Sequence, residues 1–104
     1  MRMIINGKKY DTDTASWCGN HSNLGQVGKS NFRWVDEDLY QKMTGEFFLA
    51  GSGGAMTRYA EPCGTNGKCS GWGIFPLKEH EAKEWAEKYL KYDEYVEIFG
   101  EPEE

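Results

Sequence analysis

Apolar residues recur at helical spacing only near the end of the chain. Ala82, Trp85, Ala86, Tyr89 and Leu90 fall at i, i+3, i+4, i+7 and i+8, one face of a helix over 79–90. Tyr92, Tyr95, Val96 and Phe99 repeat that spacing around Asp93, which has the chemistry of a helix cap, and Gly100 and Pro102 end the pattern. Upstream the pattern shortens towards period two. Met3-Ile4-Ile5, then Asn6-Gly7, then Lys8-Lys9-Tyr10 predicts a hairpin, because both central residues of a type I′ turn need φ > 0 and Asn-Gly tolerates that best. A second hairpin is predicted from Phe32–Met43, a Thr44-Gly45 turn and a return through Glu46-Phe47-Phe48-Leu49-Ala50. Trp72-Gly73-Ile74-Phe75 reads as a short final strand stopped by Pro76.

Between these elements the chain is polar and rich in glycine. Residues 15–31 read as a long loop, Gly51-Ser52-Gly53-Gly54 as a strand exit, and Gly64 to Gly73 as a connector. The resulting fold class is α+β. It is a twisted antiparallel sheet of four or five strands with C-terminal helix packed on one face, Trp85 and Leu90 pointing inward, in one domain spanning 1–104.

Composition sharpens this picture. Four Trp, six Tyr and five Phe make 14% of the chain aromatic, enough to fold and to give a core built on rings. No apolar run approaches the roughly 20 residues of a membrane span, and the opening residues lack the apolar stretch of a signal peptide. Three cysteines, an odd and low number, suit a reducing compartment, so a cytoplasmic protein is expected, with no membrane partner. The net charge of −5 is unevenly spread: residues 1–34 carry +3 and residues 35–104 carry −8. Such a chain is a poor general ligand for nucleic acid, so direct nucleic-acid binding is not expected, whereas a basic protein surface is a natural partner.

Catalytic signatures are absent. Gly51-Ser52-Gly53-Gly54-Ala55-Met56 lacks the spacing of a dinucleotide fingerprint and the Gly-Lys-Ser/Thr of a phosphate loop. With His21 and His80 as the only histidines, proton-transfer chemistry has few candidates, and neither an enzyme nor a cofactor is expected. One alternative stays open: Cys18, His21, Cys63 and Cys69 would make a Cys3His zinc site, although the five residues between Cys63 and Cys69 exceed the usual knuckle spacing. Lys8, Lys9, Tyr10, Lys29, Phe32, Arg33 and Trp34 mix cations with rings as single-strand binders do, but they read more simply as a charged strand face over a ringed core.

The acidic half offers the best candidates. Glu79–Lys83, Glu84–Lys88 and Glu87–Lys91 are i,i+4 pairs that belong to an exposed helix face. Asp93, Glu94 and Glu97 fall in a stretch with no base, and Asp36, Glu37 and Asp38 form a second cluster. These six residues are the expected contacts to a basic partner. Asp36, Glu37 and Asp38 lie in or beside a strand, so their side chains alternate between faces and only some can touch it.

The opening Ile4-Ile5-Asn6-Gly7-Lys8-Lys9-Tyr10-Asp11-Thr12-Asp13-Thr14-Ala15 resembles a family of short proteins carried by bacterial phages and mobile elements. Further matches are Leu39-Tyr40, Gly45-Glu46-Phe47-Phe48-Leu49, Gly53-Gly54-Ala55, Tyr59-Ala60-Glu61, Pro76-Leu77 and Glu81-Ala82 with Trp85, so the resemblance covers most of the chain except residues 16–31. It implies a host-defence inhibitor of the type II anti-CRISPR kind. The expected partner is then an RNA-guided nuclease, whose channel is basic because it holds nucleic acid. The alternative is a zinc-stabilised or nucleic-acid-binding regulatory module of a mobile element. The resemblance assigns no functional residues.

Overall fold

The computed structural model describes residues 1–104 and has three layers, with a four-stranded antiparallel sheet in the middle. The chain opens with β1 (Arg2–Ile5) and β2 (Lys8–Asp11), joined at Asn6 and Gly7, whose φ values of 52° and 77° are those of the type I′ turn. The central sheet is β3 (Ser16–Ser22), β4 (Val35–Gln41), β5 (Phe47–Gly53) and β8 (Gly71–Leu77), ordered β3-β4-β5-β8. Before β8, β6 (Glu61–Cys63) and β7 (Gly67–Cys69) form a small hairpin of their own. Two helices finish the chain, α1 (Glu79–Tyr89) and α2 (Tyr92–Phe99). The architecture is α+β with the helices at the C-terminus, as the pattern of apolar positions predicted.

Strand alternation divides the core in two. From β5, Phe47 and Leu49 point to the helix side, where they meet Leu39, Ala82, Trp85 and Ala86. Phe48 and Ala50 point the other way and pack with Ile74 and Tyr10 under the β1–β2 hairpin. Rings dominate both sides: Tyr10 meets Phe48 edge-on at 5.5 Å, and Phe47 meets Phe99 at 5.3 Å. The Lys42 ammonium lies 3.6 Å from the centre of the Tyr10 ring and closes that end of the hairpin side.

Several local expectations change. Residues 16–22 form a strand rather than a loop, because β4 pairs with them from Ser16↔Gln41 to Ser22↔Asp36. Their polarity follows from position. One face of β3 is open, and on the other Gly19 sits directly beneath Leu90, where an added Cβ would collide with the leucine methyls. The second hairpin begins at Val35 rather than Phe32, and its return strand runs through Gly51 and Ser52 to Gly53. Gly51 is required there: a Cβ would strike the backbone of Asp36 and Glu37 across the strand pair. Pro76 does not stop the last strand. It sits within β8, an edge strand, where the missing N–H costs no ladder bond.

The helix boundaries follow the spacing closely, but the caps differ. Glu94 Oε1 accepts the Lys91 N–H at 2.9 Å, so Lys91 rather than Asp93 caps α2, and Asp93 lies inside its first turn. Glu81 does the same for Lys78 at 2.8 Å on α1. Trp85 is buried, and Leu90 is half-buried against Gly19. The three Glu–Lys pairs expected along α1 are not closed. The ion pairs present are Lys8–Glu46 and Lys42–Glu46, at the turn between β4 and β5.

Candidate acidic edge

Strand β4 decides the fate of the first acidic cluster. Glu37 faces the helices and is only 4% exposed, accepting hydrogen bonds from the Tyr59 hydroxyl and the Trp85 indole N–H, each at 2.8 Å. It ties β4, the segment before β6 and α1 together inside the core. Glu37 is therefore withdrawn from the surface and cannot meet a partner, contrary to the expectation for the triplet; its alternation with Asp36 and Asp38 is the reason. Burial and the neighbouring Glu37 charge push the Tyr59 hydroxyl well above the ordinary tyrosine range, which keeps it a donor.

Asp36 and Asp38 face the other side of the sheet, beyond the cover of the β1–β2 hairpin. The Asn20 amide on β3 donates to Oδ1 of both carboxylates at 2.9 Å, and the Trp17 indole N–H donates to Asp38 Oδ1 at 3.2 Å. No cation lies within ion-pairing distance of either carboxylate. Beside them a shallow dish of about 320 Å³ is walled by Tyr40, Ser52 and Trp72. Trp17 and Trp72 are 58% and 57% exposed, an unusual state for so large an apolar surface.

Trp17 also reaches around the edge of β3. It lines a groove of about 310 Å³ together with Cys18, Glu94, Glu97 and Ile98. Trp17 thereby stands between the two acidic clusters, bonded to Asp38 of the first and lining the groove of the second. Within it Glu97 is exposed and Glu94 is engaged in capping Lys91, while Asp93 is exposed in the first turn of α2 but does not line the groove. Of the six expected contact residues, Asp36, Asp38, Glu94 and Glu97 gather along the β3 edge. Trp17, Asn20 and Trp72 complete the surface and were missed in the sequence. Their signal was a tryptophan isolated in polar, glycine-rich surroundings at each of positions 17 and 72.

The zinc alternative is not assembled. Cys63 and Cys69 form a disulfide across the β6–β7 hairpin, contrary to the expectation of free cysteines in a reducing compartment. Cys18 is half-buried on β3, its thiol pushed up in pKa by burial and donating to Ser16 O at 3.7 Å. His21 stacks on Tyr89 of α1, with ring centres 3.6 Å apart. Across the chain no cluster of three or more His, Cys, Asp or Glu side chains has the geometry to hold a metal ion.

The mixed basic and aromatic set is also divided. Tyr10 and Trp34 are buried, and Lys8 pairs with Glu46. Phe32 and Arg33 are exposed at the opposite end of the sheet from the Lys8 turn. The largest cleft, about 810 Å³, lies between the β4–β5 turn and α2; Glu46, Glu79 and Glu81 line it with Tyr10, Phe47 and Phe99.

Comparison with known proteins returns no match, whether to a family model, a curated sequence or a solved structure. No helix is long and apolar enough to cross a membrane.

Proposed function

We propose that this is a small acidic binding protein of a phage or mobile element that inhibits a host RNA-guided nuclease, of the anti-CRISPR kind, by occupying a basic nucleic-acid-binding surface. Its working compartment in this reading is the cytoplasm, and its activity is binding, with no catalytic step. One observation carries the reading. Asp36 and Asp38 on the sheet and Glu94 and Glu97 on α2 converge on either side of Trp17, with no basic residue neutralising them. Carboxylates held about an exposed indole suit a surface rich in arginine, where charge steers encounter and the ring stacks on guanidinium planes. The resemblance of Ile4–Ala15 and the later motifs to phage-borne proteins supports the choice of partner.

The test is DNA cleavage by a panel of purified type II RNA-guided nucleases with the protein added. Inhibition of at least one nuclease is expected. It should weaken as salt rises and be lost when Asp36, Asp38 and Glu97 are changed to Lys. Full cleavage by every nuclease, with no complex on gel filtration, would reject the reading.

A further inference from the structure

The β6–β7 hairpin stands apart from both halves of the core. Each of its strands has three residues, they pair only with each other, and no residue from 61 to 70 is buried. An isolated two-stranded hairpin is marginal in water even when its strands are longer. What holds this one closed is the covalent bond between Cys63 and Cys69, which lie offset across the pair, since Cys63 faces Gly67 and Cys69 faces Glu61. The chain on either side is firmly held: Tyr59 is buried before the hairpin, and Gly73 and Ile74 are buried after it.

We infer that the Cys63–Cys69 disulfide is a reversible modification site for a dithiol reductant, and that its cleavage opens residues 61–70 while the rest of the fold stays in place. Cys69 is the exposed residue of the pair and Cys63 the half-buried one, so the incoming thiolate attacks Cys69 Sγ. The Sγ–Sγ bond breaks, and Cys63 leaves as a thiolate that takes a proton from water. The second thiol of the reductant then attacks its own sulfur in the mixed disulfide and releases the Cys69 thiolate. Two electrons pass to the protein, and the reductant departs as a disulfide. Cys18 takes no part. It lies half-buried on β3 against the helix-side core, and burial raises its pKa, which slows it as a nucleophile. The chain thus carries one exchangeable sulfur pair and one slower, half-buried thiol, and opening the pair frees the ten residues 61–70 next to Trp72.

This inference is independent of the nuclease reading and is tested on the whole native chain. The protein is treated with dithiothreitol, and separately with reduced thioredoxin, then tagged with a maleimide and followed by mass spectrometry and amide hydrogen exchange. Two tags that depend on reduction are expected, on Cys63 and Cys69, while Cys18 is tagged more slowly and equally with and without reductant. Exchange within 61–70 should speed up by roughly tenfold or more, while β4, β5 and α1 keep their protection. A Cys63→Ser, Cys69→Ser double variant should show the same fast exchange without reductant. The inference fails if the disulfide yields only after denaturation, if Cys18 is tagged in step with the other two, or if the reduced hairpin exchanges as slowly as the oxidised one.

Discussion

The two faces of the central sheet are built from the same strands yet finished in different ways. On the helix side every strand contributes side chains to a sealed layer, and even the one carboxylate there, Glu37, is fully engaged by Tyr59 and Trp85. On the other side the β1–β2 hairpin covers only the part over Phe48, Ala50 and Ile74, leaving Asp36, Asp38 and Trp72 against solvent. Consecutive acids in one strand therefore do opposite work. Glu37 organises the core, and its neighbours are free to meet something else.

The most severe way to break the sealed side is to remove its largest ring. Trp85→Ala should cost about 3–5 kcal/mol, from a cavity and from the donor lost to Glu37, which is a large part of a small domain's stability. Denaturant unfolding that shows a loss below about 1 kcal/mol would mean α1 is not integral to the core. Glu37→Leu comes next. It leaves the Tyr59 hydroxyl and the Trp85 N–H buried without an acceptor, at about 1–3 kcal/mol each. Glu37→Gln keeps one carbonyl acceptor and should lose roughly half as much. Equal effects from the two variants would show that the hydrogen bonds are not what Glu37 supplies.

A smaller effect belongs to His21, beside Glu37 on the sealed side. Burial, the largest influence on it, lowers its pKa below the ordinary histidine value, opposed in part by the Glu37 charge. The folded state then binds its proton less readily than the unfolded state. Stability is accordingly unaffected above the unfolded-state pKa of about 6.5 and declines as pH falls below it. Melting temperatures from pH 7.5 to 5 should fall more steeply for the native protein than for His21→Gln. Parallel profiles would remove His21 from the account.

Much of this contrast could be read from residue spacing. Helical periodicity located α1 and α2 within a residue or two, and Asn6-Gly7 located the first turn. Alternation already implied that Asp36, Glu37 and Asp38 could not all face one way. What spacing could not reveal was pairing at a distance. Residues 16–22 look like a loop because Gly19 and Asn20 have low strand preference; they extend only because β4 supplies the partners and Leu90 fills the space above Gly19. The same limit hid the approach of the two acidic clusters, since Trp17 lies between carboxylates some sixty positions apart in the chain. It also hid the disulfide, because two cysteines separated by a glycine-rich stretch are compatible with a staple, a metal site or neither.

Lysine placed in turn at positions 36, 37 and 38 compares the two faces most directly. Each variant is followed by denaturant unfolding and by its association rate with a nuclease that the native protein inhibits, at low and at high salt. Glu37→Lys should fail to fold, because it buries a cation against two hydrogen-bond donors. Asp36→Lys and Asp38→Lys should keep most of the native stability yet associate about tenfold more slowly at low salt, with the gap closing as salt rises. If both surface variants associate at the native rate at low salt, the acidic edge is not the binding surface and the central claim is wrong.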